Sequence, residues 1–124
     1  MSTIMNNSYG SNAIRLLSSL RGHVPVRVRG FSEASVWELP TPGPHGRLEV
    51  ELVREAADRV LVCTAEGAVV GYLPERWAGI VEQELRRCEV LGANAVARAT
   101  LTGRRNERDL CVFLPWPGTA WRDD

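Results

Sequence analysis

The chain contains no lysine; all 15 of its basic residues are arginine. Arg codons are GC-rich and Lys codons are not, so this absence reads as a coding bias rather than a functional trait. The arginines are balanced by 15 acidic residues to a formal net charge of zero. A neutral chain lacks the broad positive field that drives non-specific binding to phosphate backbones, so any nucleic-acid contact is expected in a local patch or pocket.

Cysteine and histidine are also scarce. Cys63, Cys88 and Cys111 are odd in number, far apart and set within apolar patterns, not at the CxxC spacing of a metal or redox site. They read as buried thiols in a reducing cytoplasm, the alternative being metal ligation. The only histidines, His23 and His45, lie beside turn residues and give little material for a zinc site. No apolar run approaches the length of a membrane span, and no basic stretch followed by an apolar one opens the chain. The expectation is a cytoplasmic protein with no membrane partner, no metal and no cofactor. Catalytic signatures are missing as well: there is no GxSxG, no glycine-rich phosphate loop and no HExxH. Glu55 and Asp58 could serve as an acid and base couple, but carboxylates beside arginines in a polar turn more often form a solvated ion-pair network. The chain is not expected to be an enzyme.

What is present is a strand-rich pattern. A chain of 124 residues, 44% hydrophobic, suits one domain with one core. Residues 1–11 are polar, with no periodic apolar set, and read as a disordered tail. Asn12 can cap a helix, Ile14, Leu16, Leu17 and Leu20 fall at near-helical spacing, and Gly22 suits the position after its end. A short helix over Ala13 to Leu20, within residues 12–22, is therefore expected as a lid on the core or as a docking helix. From residue 23 to 124 the pattern is that of a single β-domain.

Val24, Val26 and Val28 alternate with Pro25, Arg27 and Arg29, the period of a half-buried strand with two guanidinium groups on its wet face. Ser32 to Gly46 holds three prolines and two glycines and reads as a long surface loop. Trp37 is expected to pin that loop to the core, the alternative being a stacking platform. Leu48, Val50 and Leu52 alternate with charged residues in a second strand. Arg59 to Ala65 is apolar almost throughout and β-branched, as in a strand covered on both sides. Glu66 and Gly67 make a turn to a fourth strand, Ala68 to Leu73, in which Gly71 suggests a bulge or a close backbone approach. Pro74 and Glu75 open an amphipathic helix to about Arg87, with Trp77, Ile80, Val81, Leu85 and Cys88 on its apolar face. Strands over Ala95 to Leu101 and Asp109 to Leu114 follow, separated by a charged loop. The tail from Pro115 carries Trp116 and Trp121, which either seal a barrel end or stack on a ligand. These signals predict a mainly β fold: six strands in a partly open β-barrel, one helix between the fourth and fifth, and the short N-terminal helix.

LVRE at Leu52 to Glu55, VLV at Val60 to Val62 and EGAVVGYLPERWA at Glu66 to Ala78 resemble the HIRAN domain family. There a Leu-x-x-Glu-Pro strand end leads through an Asn-Pro-Tyr-Asp loop to an apolar strand, then through a Gly-Tyr-Leu-Pro turn to a helix. VRG at Val28 to Gly30 is similar to that family's first strand, and the segment after the helix is similar to its bacterial members; the likeness covers about Val24 to Pro115. It implies a barrel of the OB or SH3-like kind and a non-catalytic module that binds single-stranded nucleic acid or DNA ends. The family's pocket draws on residues after the first-strand Gly, where this chain has Phe31, and on the Asn-Pro-Tyr-Asp loop, shortened here to Ala56, Ala57 and Asp58. Asp58 is the loop residue carried over, and Tyr72 matches a framework position. The expected binding face is Arg27, Arg29 and Phe31, edged by Arg54, Asp58 and Arg59, with phosphates on the guanidiniums and a base on the ring. Two alternatives stay open. The arginines could form a solvated face paired with Glu49 and Glu51. The chain could instead be a protein-interaction module using the first helix, the proline-rich loop or the Trp-bearing tail.

Overall fold

The computed structural model describes residues 14–16, 23–43 and 46–115. Its strands are β1 (Ile14–Leu16), β2 (His23–Arg27), β3 (Arg47–Ala56), β4 (Arg59–Cys63), β5 (Val69–Tyr72), β6 (Asn94–Thr102) and β7 (Asp109–Pro115). A 3-10 helix spans Glu33–Glu38, and an α-helix, α1, spans Glu75–Leu91. The six strands read from the sequence are all present as β2 to β7, with α1 between the fourth and fifth of them. They pair antiparallel in the order β2-β7-β6-β3-β4-β5, a sheet curled into a partly open barrel.

Alternation sets the two faces. Val26, Val28, Leu48, Val50, Leu52, Val60, Val62, Leu110, Val112 and Leu114 are buried inside, while Arg27, Arg29, Arg47, Glu49 and Arg98 of the opposite register are exposed. Helix α1 contributes Ala78, Val81, Leu85 and Cys88 to the same core. It runs to Leu91, past the expected end at Arg87, because Gly92 takes the left-handed conformation (φ 69°) that closes it. The Gly92 and Ala93 amides donate to Glu89 and Cys88 carbonyls at 3.2 and 2.9 Å.

The sheet's two ends meet at one place. Arg29 N–H donates to the Tyr72 carbonyl at 2.7 Å and Tyr72 N–H donates to the Arg29 carbonyl at 2.9 Å. This single bridge closes the seam between β2 and β5. Gly71 makes the approach possible: a Cβ there would lie 2.6 Å from the Arg29 carbonyl oxygen and closer still to the Val28 side chain. The close backbone approach expected at Gly71 is thus the seam itself.

Two expectations are corrected. Ile14–Leu16 is not helical; it pairs parallel with Asn94 to Val96 of β6, so a tertiary partner overrides a near-helical spacing too short to stand alone. The rest of that expected helix and the tail carrying Trp116 and Trp121 lie outside the described residues, as do residues 1–11. Trp37 does not pin its loop, because its side chain is 91% exposed on the 3-10 helix. Trp37→Ala is accordingly expected to leave the unfolding free energy within about 0.5 kcal/mol of wild type in urea titrations.

An ion pair holds the loop instead. The Arg108 guanidinium forks onto both carboxylate oxygens of Glu33, and the Arg108 backbone N–H donates to Glu33 Oε1 at 3.1 Å. These donors, the guanidinium first, lower the Glu33 pKa to about 2. A depressed carboxylate contributes stability above its unfolded value of 4.5 and loses it as pH falls through about 2. Hydrogen-exchange protection at the Arg108 amide should therefore persist at pH 4.5 and be lost progressively toward pH 2.

Candidate functional site

The two residues after Tyr72 decide where the barrel stays open. Along an antiparallel ladder, mutually hydrogen-bonded pairs recur every second residue, so the pair after Arg29/Tyr72 would be Arg27/Pro74. Pro74 has no N–H, and its carbonyl accepts from Ala78 N–H at 2.9 Å in the first turn of α1. The ladder therefore stops, and β5 leaves the sheet as a helix. On its other side β2 is occupied by β7, where Val28 N–H donates to the Leu110 carbonyl at 2.8 Å. By the same parity the Arg27 N–H and C=O point away from β7, toward the side that Pro74 vacates.

That opening is a shallow groove of about 650 Å³. It runs along Pro25 to Phe31 and is walled by Pro74, Arg76 and Trp77 at the start of α1, with Asp109 at one margin. Three arginines line it, Arg27, Arg29 and Arg76, with Asp109 as the acidic residue among the lining. Arg27 Nε lies 3.8 Å from Asp109 Oδ2, with the Arg27 side chain largely in solvent and that of Asp109 partly so, a pair worth about 0–1 kcal/mol. Among the described residues, Arg29 and Arg76 have no ion-pair partner. The positive end of the α1 dipole, which carries no side-chain cap, adds to their field. Phe31 and Trp77 are half-buried, each with one side against the core. Gly30 turns the chain at φ 78°, and a Cβ there would stand 3.0 Å from Tyr72 Cε1, so this glycine lets the Tyr72 ring seat while Phe31 folds back.

The residues expected from sequence divide accordingly. Arg27, Arg29 and Phe31 come together in the groove. Arg59 stands beside it, its guanidinium 4.7 Å over the Tyr72 ring and its Nε 2.8 Å from Glu55 Oε1. Asp58 is exposed in the β3–β4 turn and does not line the groove. Arg54 belongs elsewhere: it donates through Nε and Nη2 to the two carboxylate oxygens of Glu89 on α1, each at 3.1 Å. That contact lowers the Glu89 pKa and raises that of Arg54. The signal was in the register, because Arg54 continues the inward set Leu48, Val50, Leu52. The pairing of Arg27 and Arg29 with Glu49 and Glu51 does not form either: β7 and β6 stand between β2 and β3, and Glu49 faces Arg98.

Arg76 and Trp77 were missed as groove residues. Their position on a helix gave no sign that the first turn abuts β2, and Trp77 read as core ahead of a ligand-facing ring. Cys63 and Cys88 are buried and Cys111 is half-buried, and none of the three is in a disulfide. Burial, with a smaller contribution from Glu51, pushes the Cys63 thiol up and away from a reactive thiolate. Among the described residues no cluster of three or more His, Cys, Asp or Glu could hold a metal ion, and no helix is long and apolar enough to cross a membrane. Comparisons with protein-family models, with curated proteins and with solved structures give no match.

Proposed function

We propose that the chain is a non-catalytic, HIRAN-like binding module for single-stranded nucleic acid, with the groove beside β2 as its binding face. The observation that carries this reading is the convergence of Arg27, Arg29 and Arg76 with two half-buried aromatic residues in one open concavity. Zero net charge is compatible with it, because the positive charge is local. Guanidiniums neutralise phosphates, while the aromatic surfaces of Phe31 and Trp77 meet bases. The groove is wide and shallow, as suits a flexible strand rather than an enclosed small molecule. A salt titration of a fluorescent oligonucleotide tests the reading. Three phosphate contacts on a single strand predict a fall in affinity of roughly 20-fold between about 50 mM and about 200 mM salt. No binding at low salt by the folded protein would sink it.

The second reading, a protein-interaction module, rests on one observation, the exposed Trp37 held out on a 3-10 turn that Glu33 and Arg108 anchor. An apolar partner seated on that ring would bind with little salt dependence.

A further inference from the structure

We propose that the main chain of Arg27 reads the hydrogen-bonding edge of one unstacked base, which makes the groove selective for strands with unpaired bases. The inference rests on the nucleic-acid reading of this groove and adds a specific subsite to it. Pro74 ends the ladder one pair after Arg29/Tyr72, so the Arg27 N–H and C=O are left as a donor and an acceptor side by side, with no strand against them among the described residues. A β-strand partner would have completed both bonds. The Watson–Crick edge of every base carries a donor next to an acceptor, and one such pair can satisfy the Arg27 amide and carbonyl together. In a duplex those edges are already used.

The groove around this pair is arranged for the rest of a nucleotide. Phe31 and Trp77 give apolar surface for the base, and the side chains of Arg29 and Arg76 give charge for the flanking phosphates. A peptide strand fits the same edge less well. Pro25 lacks an N–H, so beside Arg27 this edge offers carbonyls without a second donor, and an added β-strand needs donors at every second residue. The open edge is one nucleobase long, not one strand long.

The full chain, labelled with 15N, is titrated at low salt with a short oligothymidylate, with the same phosphodiester backbone bearing abasic sites, and with a blunt-ended duplex of two separate strands. The Arg27 amide resonance is expected to move with the base-bearing strand and to stay in place with the other two. The abasic strand should bind about tenfold more weakly or worse. Equal affinity for the abasic strand, or a stationary Arg27 amide at saturation with oligothymidylate, overturns the subsite while leaving a purely electrostatic groove. Absence of binding by every probe overturns the nucleic-acid reading itself. Displacement of the Arg27 amide by an acidic peptide and not by oligothymidylate overturns both in favour of strand addition. No substitution is needed, so the result does not depend on a variant that folds.

Discussion

Gly71→Ala is expected to destabilise the protein by about 3 kcal/mol, the upper part of the range for overpacking in a filled interior. The methyl group would sit 2.6 Å from the Arg29 carbonyl oxygen, which is backbone already committed to the bond from Tyr72. Neither Arg29 nor Val28 can retreat without opening the seam, because among the described residues the Arg29/Tyr72 bridge is what pairs this segment with β5. Gly79→Ala is the matched control. A Cβ at that exposed helical position meets nothing within 4 Å, and the same substitution should stabilise α1 by about 1 kcal/mol through helix propensity. Urea unfolding of the two variants should therefore move in opposite directions. A Gly71→Ala protein as stable as wild type would mean that the seam is not held closed as described.

Arg27→Glu combined with Arg29→Glu is expected to reduce single-strand affinity about 100-fold at low salt, by deleting two phosphate contacts and adding two repulsive charges. The slope of log affinity against log salt should fall at the same time, since fewer counterions are released. Both side chains are exposed, and the 3.8 Å contact from Arg27 to Asp109 contributes little, so stability should hardly change. Arg54→Glu tests the placement of the site. It breaks the pair with Glu89 on the opposite face of the sheet and should leave oligonucleotide affinity within about twofold while costing some stability. Undiminished binding by the Arg27 and Arg29 variant would move the site elsewhere, and lost binding by the Arg54 variant would move it toward α1.

Much of the architecture could be read from local pattern. Period-two alternation placed β2, β3, β6 and β7, a run of apolar β-branched residues marked β4, and Pro74 with Glu75 marked the start of α1. These signals are legible because each is enforced within a few residues of chain. What escaped depends on distant partners. Ile14–Leu16 is a strand only because Asn94 to Val96 lie beside it. Trp37 is exposed because Glu33 and Arg108 fix the turn that carries it, a contact between residues far apart in sequence. The candidate site was half legible for the same reason. Arg27, Arg29 and Phe31 share one short segment, whereas Arg76 and Trp77 join them only after β5 has crossed to meet β2. Arg54 and Asp58 lie four residues apart, but Arg54 is on β3 and reaches Glu89 of α1, whereas Asp58 sits in the turn beyond the strand's end, so nearness along the chain suggested a common face that the fold does not provide.

An uncovered strand edge is also a hazard, because any second β edge, including that of another copy, can add to it. On β2 the hazard is contained by the residues that form the groove. Pro25 withholds an amide from an incoming strand, and the side chains of Arg27 and Arg29 would bring like charges together if two copies met edge to edge. The segment thus guards against self-assembly as well as lining a cavity. Replacing Pro25 with a β-branched residue while neutralising both arginines would remove both guards against edge-to-edge pairing in one step. Pro25, Arg27 and Arg29 thus bear on self-association and on the proposed recognition alike, and only substitutions that keep a like charge at Arg27 and Arg29 separate the two.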